Sequence, residues 1–214
     1  MSQAAIIRIM LVDDHAIVRA GFRRLLEQRA DFRVVAEAAD AEHAYASYAL
    51  HEPDVVVMDL SMPGVSGLDT IRRIIARNAD ARIVVFSMHE DAAVAERALQ
   101  LGARGYVTKS NAPEVLAAAV ADVVAGRLAL SPDMAKAIAM LKLSGDANPL
   151  QALTAREFEI FRLLVTGRPA IEIAKLLNLS TKTVANYHTL IKQKLCISSD
   201  VELVLLAQRQ NVKL

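Results

Sequence analysis

The chain has 214 residues, 54% of them hydrophobic but only 4% aromatic, and 37 alanines give it a helix-rich character. That length allows one or two domains with substantial cores; the single Cys196 excludes a disulfide framework and a multi-cysteine metal site. A net charge of +1 argues against a wholly basic nucleic-acid coat. No apolar run reaches the ~20 residues of a membrane span, and the start, MSQAAIIRIMLVDD, does not read as a signal peptide, so a soluble, cytoplasmic protein without membrane partners is expected.

Short apolar runs at residues 6–12, 34–36, 55–58, 83–86 and 105–107 alternate with longer stretches of helical period, such as Val18, Phe22, Leu25 and Leu26, or Ile71, Ile74 and Ile75. Near-continuous apolar strands separated by helices predict a parallel sheet covered on both faces. Five such units fit a small doubly wound α/β domain. Ser131-Pro132 predicts a helix start with Pro in the first helical position, the helix running to about Leu143. The turn formers at 144–149 then read as a linker.

From Thr154 the pattern is helical only, in four short segments. Thr154-Ala155-Arg156-Glu157 is a capping box. The helix it opens carries Phe158, Phe161, Leu164 and Val165 on its apolar side and stops at Gly167. A second helix is expected from about Pro169 to Leu177, and Ser180 caps a third, with Val184, His188, Ile191 and Leu195 inward. Two short helices joined by a tight turn predict a helix-turn-helix, whose second helix enters the DNA major groove. Lys182, Lys192, Lys194 and the hydroxyl of Thr181 suit phosphate contacts. Asn186 and Gln193 suit adenine edges, while Ala185, Thr183 and Thr189 offer methyl or hydroxyl contacts to bases. Charge supports the division. Residues 1–130 hold 14 Lys and Arg against 17 Asp and Glu, whereas residues 150–214 hold 9 against 5. The near-neutral total is a cancellation between an acidic and a basic half, which are also expected to attract each other.

In a parallel sheet, ligands bind beyond the carboxyl ends of the strands. The first strand ends in Asp13-Asp14, the third in Asp59, the fourth in Ser87, and Lys109 follows the fifth. Three carboxylates in one pocket repel, and a hard cation such as Mg²⁺ relieves this with oxygen ligands. Lys109 and Ser87 suit phosphate oxygens. The set fits a phosphoryl group held beside Mg²⁺ with one Asp as acceptor. Taken singly the residues say less: Asp13-Asp14 also reads as a helix cap, and Lys109 as a surface charge.

These motifs carry a resemblance. Residues 11–15 (LVDDH), 55–67 (VVVMDLSMPGVSG), 84–87 (VVFS) and 102–109 (GARGYVTK) resemble the receiver domain of two-component response regulators, and residues 153–157 (LTARE), 171–174 (IEIA), 179–184 (LSTKTV) and 194–195 (KL) resemble the LuxR/NarL/FixJ-type helix-turn-helix domain. The resemblance implies a flavodoxin-like (βα)5 receiver at 1–128, a linker with a short helix at 129–149 and an all-α four-helix DNA-binding domain at 150–214. It implies that Asp59 accepts phosphate from a histidine kinase. Asp14, Asp59 and the Ser61 backbone carbonyl would ligate Mg²⁺, with Asp13 acting through water. Ser87 and Tyr106 match the switch pair, the hydroxyl drawn to the phosphate and the aromatic following it inward. Phosphorylation is then expected to favour a homodimer or to free the recognition helix from the receiver, with promoter DNA and RNA polymerase as further partners. The last helix, with Val201, Val204 and Leu205, matches a dimer contact of that family. Ser110 departs from the Pro that often follows the Lys, which puts a cis peptide there in doubt. His188 is expected as a buried, satisfied residue, and His89 as an exposed loop residue.

Two other readings compete. A phosphohydrolase of the haloacid dehalogenase type would use Asp59 as nucleophile but needs an acid two residues on, where Ser61 stands. A protein-binding module without DNA contacts is opposed by Lys182, Asn186 and Lys192.

Overall fold

Continuous apolar runs within strands bury both faces. In β1 (Ile7–Val12) Ile9 and Leu11 enter one core while Met10 and Val12 enter the other. The computed structural model describes residues 6–62, 66–111, 113–143, 149–210 and 212, with the backbone alone at 142, 143 and 151. Residues 63–65 of the strand-three motif and the turn formers 144–148 lie outside the described residues.

Strand and helix alternate after β1: α1 (Ala16–Leu26), β2 (Phe32–Ala38), α2 (Ala41–His51), β3 (Val55–Met58), α3 (Gly67–Arg77), β4 (Ile83–Ser87), α4 (Ala92–Gln100), β5 (Gly105–Thr108) and α5 (Pro113–Val124). The sheet is parallel with order β2-β1-β3-β4-β5-β6, in which β6 is Ala129–Leu130. Residues of α1 and α5 (Leu26, Leu116, Val120, Val123) fill the core on one side. Residues of α2, α3 and α4 (Ala44, Ile71, Ile74, Val94, Ala98) fill the other. The alternation expected from sequence is present, with one correction: among the described residues the sheet has six strands. β6 is too short to show a period, so sequence pattern leaves it in the linker.

The segment after β6 is part of the fold as well. α6 (Pro132–Leu143) starts at Pro132 as expected and buries Met134, Ile138 and Leu141 in the same core as α4. A 3₁₀ turn, Pro149–Ala152, leads into α7 (Ala155–Val165), α8 (Ala170–Leu176), α9 (Thr181–Lys194) and α10 (Asp200–Arg209). Thr154 and Glu157 form the predicted capping box on α7. Gly167 sits just past that helix at φ +75°, a left-handed position that glycine adopts without steric cost. Ser180 caps α9 by accepting from Thr183 N–H. Phe158, Phe161, Ile173, Val184, Ile191 and Leu203 build the core of this half, and that core is continuous with the α2–α4 side of the receiver-like half. Across the junction Arg97 of α4 donates to the Leu153 carbonyl. No helix among the described residues is long and apolar enough to cross a membrane.

Candidate functional site

The strand order reverses between β1 and β3, and a crevice opens there at the strands' carboxyl ends. Asp59 N–H donates to Val12 C=O at 2.8 Å, which locks the ends of β1 and β3 side by side. Asp13 and Asp59 therefore face each other, both nearly buried, and Lys109 lies between them. Its ammonium is 2.6 Å from Asp13 Oδ2 and 2.6 Å from Asp59 Oδ2. Burial alone would lower the Lys109 pKa, but the hydrogen bonds it donates to Asp13 and Asp59 outweigh this and raise the value. Asp59 Oδ1 accepts from Ser61 N–H at 3.1 Å. Asp13 Oδ1 accepts from His15 N–H at 2.7 Å.

Asp14 stands half-buried beside this pair. Its Oδ1 is buried and accepts no hydrogen bond, although His15 Nδ1 lies 2.9 Å away. Among the described residues, the acid and histidine donors close enough to share one ion are Asp13, Asp14 and His15. Asp59 is not in that group. The orphaned carboxylate oxygen and the surplus of acid suit a hard cation. His15 was not anticipated from sequence, where the DDH run drew attention to its two acids.

Ser87 ends β4 fully buried, and its Oγ accepts from His89 N–H at 3.2 Å. Lys109 N–H donates to Ser87 C=O at 2.8 Å, bringing the ends of β4 and β5 together. Tyr106 is already inside, at 0% exposure, and its hydroxyl donates to His89 C=O at 2.8 Å. Burial pushes that hydroxyl's pKa up. Tyr106 thus occupies an inward position in this structure, where the His89 carbonyl gives the ring's polar end a partner. No peptide bond among the described residues is cis, including the one after Lys109.

His89 corrects its sequence expectation. It is only partly exposed, and its ring bridges the two halves. Nδ1 is 3.1 Å from an Nη of Arg162 on α7, and Nε2 is 3.2 Å from Ser61 Oγ. Burial, followed by the Arg162 and Lys109 charges, pushes its pKa down to about 4, so the ring is neutral at pH 7. A cavity of about 440 Å³ opens here, lined by Asp14, Ser61 and His89 from one half and Phe158, Glu159, Arg162 and Arg168 from the other. Nothing in the local sequence around Arg162 signals this meeting, which depends on how α7 docks.

In the second half, α8 and α9 form the expected helix-turn-helix. Thr181, Lys182, Ala185, Asn186, Thr189 and Gln193 are exposed along one stripe of α9. Thr183 is half-buried and its hydroxyl is 2.8 Å from Ser180 Oγ, so it serves the cap. Lys192 is also half-buried, 2.7 Å from Asp200. His188 departs from the expected core position. Its Nε2 is 2.8 Å from the same Asp200, which draws the ring outward to the start of α10. The stripe is open to solvent, while Tyr187 on another side of α9 lines a cavity with Asp69, Arg72 and Arg97 of the receiver-like half. On α10, Val201 and Leu205 are 69% and 47% exposed.

An acidic crevice at the switch point of a five-helix parallel sheet, joined to a helix-turn-helix, defines the chain as a response regulator that binds DNA. Residues 9–121 match the response regulator receiver domain, and residues 151–207 match the luxR family of bacterial regulatory proteins. The chain belongs to the LuxR family of two-component response regulators, a family of DNA-binding transcription regulators. It is 37% identical to the response regulator UvrY of Escherichia coli K12 over 208 residues, 96% of this chain and 95% of that protein. It is 40% identical to the transcriptional activator protein ExaE of Pseudomonas putida over 202 residues, 93% and 94% of the two chains. Among solved structures, a LuxR-family response regulator from Aurantimonas is 50% identical and covers 65% of this chain and 99% of its own, with a TM-score of 0.64. The complex of the response regulator RcsB with DNA is 28% identical, covers 95% of this chain and 98% of its own, and has a TM-score of 0.61.

Proposed function

We propose that the chain is a phosphorylation-gated transcription regulator in which Asp59 is the phosphoacceptor. The observation that carries this is the Lys109 ammonium held between Asp13 and Asp59, with the buried Ser87 hydroxyl at the next strand end. Asp59 Oδ attacks phosphorus in line. The bond from phosphorus to the kinase histidine nitrogen breaks as the new P–O bond forms, and the electron pair leaves with the nitrogen. Lys109 then has a phosphoryl oxygen to pair with as well as Asp13, and Ser87 donates its hydroxyl to another. Asp14, Asp59 and the Ser61 carbonyl would hold Mg²⁺, with Asp13 reaching it through water. The ion, when bound, neutralises charge building on the phosphoryl oxygens.

Tyr106 follows Ser87 through His89, which touches both. The readout is promoter DNA bound through the exposed stripe of α9, with Lys182 on phosphates and Asn186 and Gln193 on base edges. Exposed Val201 and Leu205 on α10 support a homodimer, which would set two recognition helices roughly 34 Å apart. The gate then acts on pairing and spacing of two copies. RNA polymerase is the downstream partner of such a dimer at a promoter. A histidine kinase as donor, a cytoplasmic location and the boundaries 1–128, 129–149 and 150–214 complete the reading. The test is a gel-shift titration on promoter DNA with and without acetyl phosphate and Mg²⁺, with Asp59→Asn as control. Equal affinity in all conditions refutes the gate and leaves DNA binding standing.

A further inference from the structure

His89 is a junction. Its backbone N–H donates to Ser87 Oγ, its carbonyl accepts from Tyr106, and its ring joins Ser61 Oγ to Arg162. The ring chemistry is fixed by its partner. A guanidinium only donates, so Nδ1 accepts from Arg162, the ring proton sits on Nε2, and Nε2 donates to Ser61 Oγ. Ser61 in turn donates its N–H to Asp59 Oδ1. A path thus runs from α7 of the DNA-binding half to the carboxylate of the phosphoacceptor, by hydrogen bonds from Arg162 to His89 and from His89 to Ser61 Oγ, then through Ser61 itself to its N–H on Asp59. The same Arg162 lines the cavity at the mouth of the crevice with Asp14, Ser61, Glu159 and Arg168.

We propose that Arg162 restrains phosphoryl transfer to Asp59. Acting through His89, it makes the docked DNA-binding domain a brake on phosphorylation. Docked, it fixes the His89 tautomer and holds the loop after β4 against Ser61. The loop is then not free to open around an incoming phosphodonor or to carry Ser87 toward a new phosphoryl group. With an acyl phosphate as donor, the bond from phosphorus to the acyl oxygen breaks and the carboxylate leaves with the electron pair. Asp59 Oδ forms the new bond to phosphorus. The Arg162 contact contributes to neither bond, so its removal speeds the step by freeing the loop. Coupling of this kind is reciprocal: a phosphoryl group that displaces His89 also loosens α7.

This inference rests on Asp59 being the acceptor, and the experiment separates the two. Full-length protein is incubated with acetyl phosphate and Mg²⁺, and phosphorylation is followed in time for wild type, Arg162→Ala, Arg162→Lys, His89→Ala and the Arg162→Ala/His89→Ala double variant, with Asp59→Asn as control. The expected result is a rate about fivefold or more above wild type for Arg162→Ala, return toward wild type for Arg162→Lys, and a double variant no faster than the faster single one. In nitrogen spectra of labelled histidine, His89 should show bare Nδ1 and protonated Nε2 in wild type and lose that signature in Arg162→Ala. A wild type that takes no phosphoryl group overturns the acceptor reading itself. A labelled wild type matched by Arg162→Ala in rate, an additive double variant, or an unchanged His89 signature overturns the role of Arg162 alone.

Discussion

Replacing Lys109 by Met keeps most of the stem and removes the charge between Asp13 and Asp59. Both carboxylate oxygens stand 2.6 Å from the Lys109 nitrogen, hence no more than about 5 Å apart, and at an effective dielectric near 20 two unit charges at that separation repel by about 3 kcal/mol. The three side chains are 10% exposed or less, so solvent screens this little. The figure agrees with the roughly 3–5 kcal/mol lost when one partner of a buried ion pair is removed. For a receiver-sized domain it corresponds to a fall in Tm of about 10 °C. The assay is thermal unfolding of wild type and Lys109→Met in EDTA and in millimolar Mg²⁺. The variant should melt lower in EDTA and gain more from Mg²⁺ than wild type does, because the cation supplies the charge that Lys109 supplied. Coincident melts in EDTA, or equal Mg²⁺ shifts in both proteins, would refute the electrostatic account of the crevice.

Gly67→Ala should destabilise by about 1–3 kcal/mol in urea titrations, although Ala favours a helix, because its Cβ would lie 2.7 Å from both the Asp59 carbonyl oxygen and Leu60 Cα. Glu157 predicts an acid sensitivity. Burial raises its pKa, but Lys194 and the Thr154 backbone N–H outweigh this and hold it below its ordinary 4.5. Its contribution to stability is therefore present above pH 4.5 and lost as pH falls through the lower folded value. Glu157→Gln should be less stable than wild type at pH 7, and the two should converge at lower pH in urea melts. Lys182→Glu should weaken promoter binding at least about tenfold and flatten its salt dependence by about one unit of slope. Lys192→Glu should cost less in the same gel shifts, since Asp200 already engages Lys192, while neither change should alter phosphorylation of Asp59.

Much of this is legible from sequence for identifiable reasons. Buried parallel strands leave continuous apolar runs, so the acids that end them stand out. The caps at Thr154 and Ser180 are local and follow from short-range hydrogen bonding. What escapes is non-local or too short. β6 has two residues and no period. His89 carries no mark of burial, because its partner Arg162 is 73 residues away in the chain. His188 has core spacing on α9, yet an acid from the next helix pulls it out. Likewise Lys192 has the charge and place of a DNA contact, and only the approach of α10 reveals its competing partner. The division of charge is plain in the sequence, but two hydrogen bonds across the junction among the described residues run from Arg97 to a carbonyl and from Arg162 to a neutral ring.

The open stripe of α9 has a consequence for how a signal is answered. A surface already facing solvent, with Lys182 at its start, can settle on any duplex by charge alone, with dissociation constants on the order of 10⁻⁴–10⁻⁶ M per site at physiological salt. On the proposed reading, unmodified molecules would patrol DNA by sliding and hopping instead of waiting elsewhere for release. Under the proposed gate, an incoming phosphoryl group would change dwell time at paired half-sites, not admission to the template. Response speed is thereby tied to how fast two sliding copies find one another on the same stretch of DNA.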